Sequence, residues 1–230
     1  MIHTILWDID GTLLDFLAAE KAAIRDCFEK FGLGECSDEL IARYSALNHS
    51  YWQRLERGEV TKQQVLVGRF EEFFAQEGID AALAAPFNDA YQLVLGDTIC
   101  FMDHSDQLIA RLRGKVRQYA VTNGTRVAQD RKLTKSGLGE LFDGVFISEL
   151  VGAEKPSPAF FDHVFAHIGP VDKSEVLIVG DSLTSDMKGG LLAGIPCCWY
   201  NPKNLPAPED MKLDYVIQDL NQVEDILNKK

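Results

Sequence analysis

The chain alternates between short apolar runs and longer segments with helical periodicity. The short runs have the length and composition of buried strands and lie at residues 5–8, 119–122, 145–148, 176–180 and 197–200, with a weaker sixth at 214–217. Between most of them, apolar residues recur at helical spacing, as in the segment 160–168. Strands that alternate with helices are typical of an α/β protein with a doubly wound, Rossmann-like parallel sheet. We predict this fold for the larger part of the chain.

One connection departs from the alternation. Residues 16–95 contain no strand-like run and carry two apolar stripes at helical spacing, with breaks at several glycines and a further helix start near Pro86. A connection of this length between the first two strands is far longer than an ordinary loop. We therefore predict a small α-helical cap domain at 16–95, inserted after the first strand into a core domain formed by residues 1–15 and 96–230.

Charge and composition narrow the range of partners. The 230 residues include 23 Lys and Arg against 35 Asp and Glu, a formal net charge of −12. A nucleic-acid binder or a protein of anionic membrane surfaces needs a cationic face, so we expect neither role. The first residues do not read as a signal peptide, and the five cysteines lack metal-type spacing. We expect a reduced protein of the cytoplasm, monomeric or weakly homo-oligomeric.

Polar residues follow the predicted strands at their carboxyl ends. In a doubly wound sheet these ends meet at one edge, where ligands bind. Phosphoryl transfer to a carboxylate needs a nucleophile, an acid/base group, a divalent cation and donors for the phosphoryl oxygens. The residues that could provide them are Asp8 and Asp10 after the first strand, Thr122, Asn123 and Gly124 after the second, Lys155 after the third, and Asp181 and Asp186 after the fourth.

The chemistry of each residue type suggests its role. Asp8 would be the nucleophile, ionised because Mg²⁺ offsets its charge. Asp10 could protonate the leaving oxygen and then deprotonate a water molecule. Gly11 would let the chain turn tightly out of the strand. Asp181 would supply a further oxygen ligand to the metal. The expected partner is a small phosphomonoester.

The remaining polar residues would bind the phosphate. Thr122 and the backbone amides of Asn123 and Gly124 are expected to open a helix, a geometry that binds anions. Lys155 places a compact positive charge among the carboxylates, where it could bridge the nucleophile and the phosphate. Asp186 would orient Lys155 or a metal-bound water.

These residues, in this order, resemble the four motifs of the haloacid dehalogenase (HAD) superfamily. The motifs read Asp8-x-Asp10-Gly11-Thr12, Thr122-Asn123-Gly124, Lys155-Pro156 and Gly180-Asp181-x₄-Asp186, and the helical insert resembles the superfamily's type 1 cap. The resemblance covers nearly the whole chain. It implies a Mg²⁺-dependent phosphatase that works through an aspartyl-phosphate. It also implies that Asp8 and Asp181 bind the metal by carboxylate and Asp10 by its backbone carbonyl.

A narrower resemblance concerns the substrate. The opening segment 7–16, the cap stretches 47–52 and 68–70 with Gly58, and the segment 147–152 are similar to pyrimidine 5′-nucleotidases of the YjjG type. That group dephosphorylates nucleoside 5′-monophosphates, with uracil and thymine deoxynucleotides prominent. Within the cap, Phe16 and Trp52 offer flat surfaces for a base to stack on. Asn48 and Arg69 offer hydrogen-bond donors for pyrimidine carbonyls.

Other functions remain open at this stage. A phosphatase or phosphomutase for a sugar phosphate or phosphoglycolate would carry the same motifs. A haloacid dehalogenase needs no acid at the position of Asp10, so that residue disfavours it. A receiver-type signalling module also gathers acids, a threonine and a lysine at strand ends, but has no long helical insert. A phosphate sensor without turnover is disfavoured by the intact Asp8 and Asp10. Among phosphatases with these motifs, the side chains of the cap determine which phosphate ester is the substrate.

Overall fold

A computed structural model, which describes residues 1–228, contains the predicted parallel sheet. Its six strands lie in the order β3-β2-β1-β4-β5-β6, and every neighbouring pair is parallel. Each predicted run coincides with a strand to within two residues. The strands are Thr4–Trp7 (β1), Arg117–Thr122 (β2), Gly144–Ile147 (β3), Val176–Gly180 (β4), Cys197–Tyr200 (β5) and Tyr215–Ile217 (β6).

Ten α-helices accompany the sheet within the described residues. Two of them are preceded by π-helical turns, Gln64–Gly68 before α3 and Leu183–Met187 before α9. The helices are Phe16–Phe31 (α1), Asp38–Glu56 (α2), Arg69–Glu77 (α3), Ala84–Asp97 (α4), Ser105–Leu112 (α5), Arg126–Ser136 (α6), Ser148–Val151 (α7), Pro158–Ile168 (α8), Lys188–Ala193 (α9) and Val223–Asn228 (α10).

Successive residues of each strand pack on opposite faces of the sheet. In β1, Ile5 and Trp7 belong to the cluster that α5 and α10 cover, whereas Leu6 belongs to the cluster that α8 covers. All of β1 is buried because helices cover both faces. A strand that is buried on both faces has an uninterrupted run of apolar residues. For this reason the strands could be predicted accurately from the sequence.

Helices α1–α4 share a hydrophobic cluster, which we call the cap cluster and to which Ala128 of α6 also belongs. Its centre is aromatic: the Phe70 ring lies 5.2 Å from Tyr44, 5.0 Å from Phe87 and 5.3 Å from Tyr91, centroid to centroid. Helix α4 runs to Asp97, two residues past the predicted end of the cap, and packs against α6. The division of the chain into domains at 15/16 and 95/96 stays a prediction.

Two further features of the described residues concern membrane-spanning helices and the state of the cysteines. No helix within 1–228 is long and apolar enough to cross a bilayer. The five cysteines, all within this range, are free thiols. Burial raises the pKa of Cys27 and of Cys197 to about 12. A buried, protonated thiol behaves as a small hydrophobic side chain rather than as a nucleophile.

Candidate active site

Lys155 is the buried cation at the centre of the strand ends. Its Nζ donates to Asp8 Oδ1 at 2.8 Å, to Asp186 Oδ1 at 2.6 Å and to the Val121 carbonyl at 2.7 Å, so all three N–H donors are used. Only 1% of the residue is exposed. Burial alone would lower the pKa of Lys155, but Asp186 and Asp8 outweigh that effect and raise it above its ordinary value. The side chain therefore stays charged and holds the two carboxylates together.

Three carboxylates gather around this lysine. Oxygens of Asp8, Asp181 and Asp186 lie within 4.8 Å of one another. Burial raises the pKa of Asp8 to about 7, although Lys155 acts against it, and burial together with Asp8 raises the pKa of Asp181 well above its ordinary value. Crowded carboxylate oxygens of this kind suit a hard divalent cation such as Mg²⁺. Asp186 accepts from Lys155 and from the backbone N–H of Ser182, the latter at 3.2 Å, so each of its oxygens already has a hydrogen-bond donor.

The turn after β1 brings these aspartates together. Gly11 has φ +91°, and a Cβ there would lie 2.6 Å from Asp181 Oδ2, so neither the backbone conformation nor the space admits a side chain. Thr12 Oγ1 donates to Asp8 Oδ2 at 3.0 Å and accepts from the Asp181 N–H at 3.0 Å. Trp199 Nε1 donates to the Asp181 carbonyl at 2.8 Å. The ends of β1, β4 and β5 are thereby linked around the carboxylates.

The loop after β2 differs from its expected form. Helix α6 begins at Arg126 rather than at Asn123, because the Thr125 side chain is the N-cap. The Asn123 side chain accepts from the Lys155 N–H and donates to the Lys155 carbonyl, both at 2.8 Å. Thr122 Oγ1 accepts from the Gly124 N–H at 3.0 Å. Thr122, Asn123 and Gly124 all line the same cavity, and the amide of Asn123 fixes the backbone that carries Lys155.

Asp10 has two partners that the sequence analysis did not identify. Lys132 Nζ donates to Asp10 Oδ1, and Gln129 Nε2 donates to Asp10 Oδ2 at 2.6 Å. Both partners are buried on α6. Gly124 makes room for this contact, since a Cβ there would lie 2.2 Å from Gln129 Nε2. In the sequence, these partners appear only as two polar residues three positions apart on the helix after the second motif. The same pattern is typical of a helix face exposed to solvent.

A cavity of about 750 Å³ lies over the strand ends. Its volume is in the range of sites that enclose a small organic ligand. Core residues and helices α1 and α2 both contribute to its wall. The core side contributes Asp8, Asp10, Thr122, Asn123, Gly124, Lys155, Asp181 and Asp186, and the helical side contributes Phe16, Glu20, Ser45, Asn48, Trp52 and Glu56.

A buried polar cluster lies on the helical side of this cavity. Glu20, which the sequence analysis missed, accepts from Ser45 Oγ and from Asn48 Nδ2, the latter at 2.6 Å. Arg69 lies behind Asn48 and donates to Asn48 Oδ1 at 2.8 Å. Phe16, Asn48 and Trp52 line the large cavity, but Arg69 is not part of its wall and is enclosed among aromatic rings. Arg69 does line a smaller adjoining cavity, beside Phe16 and Trp52, and its contact with a substrate stays a prediction.

Two further contacts join the α2 region to the core. Lys62 Nζ donates to the Asn123 carbonyl and to Ser148 Oγ, the latter at 3.1 Å, and lies 5.1 Å from the centre of the Trp52 ring. Thr184 Oγ1 donates to Glu56 Oε2. Burial lowers the pKa of Lys62 to about 8 and raises that of Glu56. These contacts hold the helical side against the loops that carry the phosphate-binding candidates.

Comparison with known proteins places this site in a family context. The sequence model of the haloacid dehalogenase-like hydrolases matches residues 2–194. The chain is 36% identical to the HAD-hydrolase YfnB of Bacillus subtilis over 98% of this chain and 95% of that protein. A crystal structure of YfnB, described as bound to magnesium and as revealing interdomain movement, superposes with a TM-score of 0.90 at 35% identity and covers 99% of both chains.

Two other relatives carry a more specific name. The pyrimidine 5′-nucleotidase PynA of Streptococcus pneumoniae is 33% identical over 98% of this chain and 94% of its own length. The pyrimidine 5′-nucleotidase YjjG of Escherichia coli is 31% identical over 98% of this chain and 97% of its own length. The similarity thus spans both the sheet and the helical insert in each case.

Proposed function

Because this chain belongs to the haloacid dehalogenase-like hydrolase family, we propose that it is a Mg²⁺-dependent phosphatase with Asp8 as its nucleophile. The observation that carries the proposal is the arrangement at the cavity floor. Asp8 is held by Lys155 and Thr12, lies beside Asp181, and lines a cavity large enough for a small ester. A carboxylate so fixed can attack phosphorus without first having to be ordered.

The reaction divides into two displacements. In the first, an Asp8 oxygen forms a bond to phosphorus while the bond to the leaving oxygen breaks, and Asp10 gives that oxygen its proton. In the second, Asp10 takes a proton from water, which displaces the phosphate and regenerates Asp8. Held by Asp8, Asp181 and the Asp10 carbonyl, Mg²⁺ would offset the negative charge of the carboxylates and the phosphoryl oxygens. Gln129 and Lys132 fix the Asp10 carboxylate between the two steps.

The remaining site residues bind or position. Thr122 and the backbone N–H groups of Asn123 and Gly124 would donate to phosphoryl oxygens. The Gly124 N–H would first have to leave Thr122 Oγ1, which now accepts it. Lys155 neutralises the nucleophile, and it can reach the phosphate only by exchanging one of its present partners. Asp186 then serves as a positioning residue that keeps Lys155 beside Asp8.

Removal of divalent cations is expected to stop phosphate release. Without them, Asp8, Asp10 and Asp181 would face an anionic substrate with too little positive charge to offset them. Activity should fall to background in excess EDTA and return with excess Mg²⁺. Mg²⁺ should also raise the melting temperature of the free protein, and this rise should be absent in Asp181→Asn but present in Asp162→Asn, a change on the exposed surface of α8. Full activity in EDTA would overturn the proposal.

The substrate class that we infer is the pyrimidine nucleoside 5′-monophosphates. Phe16 and Trp52 line the cavity and provide apolar surface for a base, while the cluster around Glu20 and Asn48 provides polar groups. The naming of PynA and YjjG as pyrimidine 5′-nucleotidases supports the inference. Discrimination between related groups depends strongly on such buried polar contacts.

A substrate screen tests this inference directly. Deoxyuridine, thymidine and uridine 5′-monophosphates should exceed sugar phosphates in kcat/KM, because a base can both stack and pair within the cavity. They should also exceed purine nucleotides, in keeping with the activity for which PynA and YjjG are named. The measurement is phosphate release with Mg²⁺ across nucleoside monophosphates, hexose phosphates and phosphoglycolate. If phosphoglycolate or a hexose phosphate ranked far ahead, the nucleotidase proposal would fail, and a sugar-phosphate phosphatase or phosphomutase would replace it.

A further inference from the structure

We propose that Glu20 is a specificity-determining residue that accepts a hydrogen bond from a ring N–H of the pyrimidine. The proposal rests on the proposed nucleotidase function and names the group that would recognise the base. Glu20 lies on α1 and lines the same cavity as the catalytic aspartates. A buried carboxylate at this point of the cavity wall would thus make an N–H the feature by which the enzyme selects its leaving group.

The first support is the burial of this carboxylate. Only 1% of Glu20 is exposed, and its two oxygens each accept one hydrogen bond, from Ser45 and from Asn48. Burial raises the pKa of Glu20, against the effect of those two donors and of Arg69. A buried carboxylate is costly unless its oxygens are satisfied, and each oxygen can accept two hydrogen bonds. A ligand N–H directed at Glu20 would therefore meet an acceptor with unused capacity.

The second support is the fixed orientation of Asn48. Its Oδ1 accepts from Arg69, so its Nδ2 must point towards Glu20. Arg69 is itself fixed, with its guanidinium 4.8 Å from the centre of the Phe70 ring and 5.1 Å from that of Tyr91. One hydrogen of Nδ2 is used on Glu20, and an amide nitrogen carries two. The pair can thus present an acceptor beside a donor.

That pattern is complementary to the pairing edge of a pyrimidine. Thymine and uracil carry the N3–H donor of the ring beside the O4 acceptor. In either case the N–H would go to Glu20 and the acceptor to Asn48. Sugar phosphates and phosphoglycolate have no ring N–H. When they bind, Glu20 and Asn48 would gain no hydrogen bond from the ligand. A site with buried polar groups disfavours ligands that leave those groups unpaired, so kcat/KM should be lower.

The experiment compares two substrates on four proteins. The substrates are thymidine 5′-monophosphate and its N3-methyl analogue, which lacks the N–H, with 2-deoxyribose 5-phosphate as a reference that has no base. The proteins are the wild type, Glu20→Gln, Glu20→Leu and the matched control Glu29→Gln, which repeats the change to glutamine on the exposed side of α1. The wild type and the control should prefer thymidine 5′-monophosphate over the methylated analogue by about 10- to 100-fold in kcat/KM, the value of one buried hydrogen bond.

Glu20→Gln separates hydrogen bonding from steric exclusion. Glutamine has nearly the same size, so a penalty caused only by the bulk of the methyl group would persist. A penalty caused by the lost N–H should largely disappear, because the glutamine amide can direct a donor rather than an acceptor into the cavity. Collapse of the preference in Glu20→Gln or Glu20→Leu, with retention in Glu29→Gln, supports the proposal.

Three outcomes would overturn it. Equal turnover of the two nucleotides by the wild type excludes N–H recognition, and this comparison holds even if Glu20→Gln fails to fold. An unchanged preference in folded Glu20→Gln and Glu20→Leu proteins, the second of which has no acceptor oxygen at this position, assigns the effect to bulk and excludes Glu20 as the acceptor. A wild type that handles 2-deoxyribose 5-phosphate as well as thymidine 5′-monophosphate refutes the nucleotidase function itself, and the role of Glu20 with it.

Discussion

Asp8→Asn should abolish phosphatase turnover, with kcat lower by about 10⁴-fold or more, as for the loss of a covalent nucleophile. The amide cannot form the bond to phosphorus that the proposed mechanism requires. Stability should be retained, because the change removes one negative charge from a crowded group of carboxylates and keeps the shape of the side chain. Phosphate release and thermal unfolding of the same preparation measure the two effects.

The companion variant Asp10→Asn should be less impaired. Loss of a positioned acid/base group costs about 10²-fold or more, and Asp8 would still be able to attack. Asp162→Asn, on the exposed surface of α8, serves as the control for both and should leave kcat unchanged. A near-normal kcat in Asp8→Asn would show that the nucleophile is wrongly assigned, whatever the effect of Asp10→Asn.

Lys155→Met should remove both activity and a large part of the stability. Methionine fills similar space, but Asp8 and Asp186 would then face each other in a buried site without the ammonium that now bonds to both. Breaking a buried ion pair by removing one partner costs about 3–5 kcal/mol. Urea unfolding in the presence of EDTA, which keeps added metal from compensating, measures this loss.

The destabilisation by Lys155→Met should depend on pH. Burial already raises the pKa of Asp8 and of Asp186, and loss of the lysine raises both further. At low pH the two carboxylates are protonated and the loss of the cation costs little. As the pH rises they must ionise in a buried site, so the free energy of unfolding falls relative to the wild type. The difference between the proteins should therefore be larger at pH 8 than at pH 5.

A double variant gives the matching control. Adding Asp186→Asn to Lys155→Met removes one of the two unpaired charges, so it should recover part of the lost stability without recovering activity. Substitutions of residues in direct contact have effects on the free energy of unfolding that depend on each other, whereas the effects of distant substitutions add. If Asp186→Asn destabilised the Lys155→Met protein as much as it destabilises the wild type, the two side chains would not be coupled and the assigned role of Asp186 would be wrong.

Much of the fold could be predicted because parallel strands covered on both faces leave a strong local signal. The runs at 176–180 and 197–200 match β4 and β5 residue for residue. The position of the helical insert followed from the lack of strand-like runs after Phe16. Helix α4 continues to Asp97, two residues past the predicted end of the insert, because periodicity does not mark where a helix passes from one packing partner to the next. The domain boundary itself stays a prediction.

The sequence also determined which residues meet at the strand ends, since parallel topology brings the segments after β1, β2 and β4 to one edge whatever the details of packing. The tertiary structure alone decided which polar side chains on the helices turn inward. Lys132 and Gln129 reach Asp10 from 122 and 119 positions away, and Glu20 meets Asn48 from 28 positions away. From the sequence alone, polar residues on a helix are expected to face solvent, and only the packing of a neighbouring element shows that they are buried. Burial and partner are properties of packing between distant segments, which no local pattern encodes.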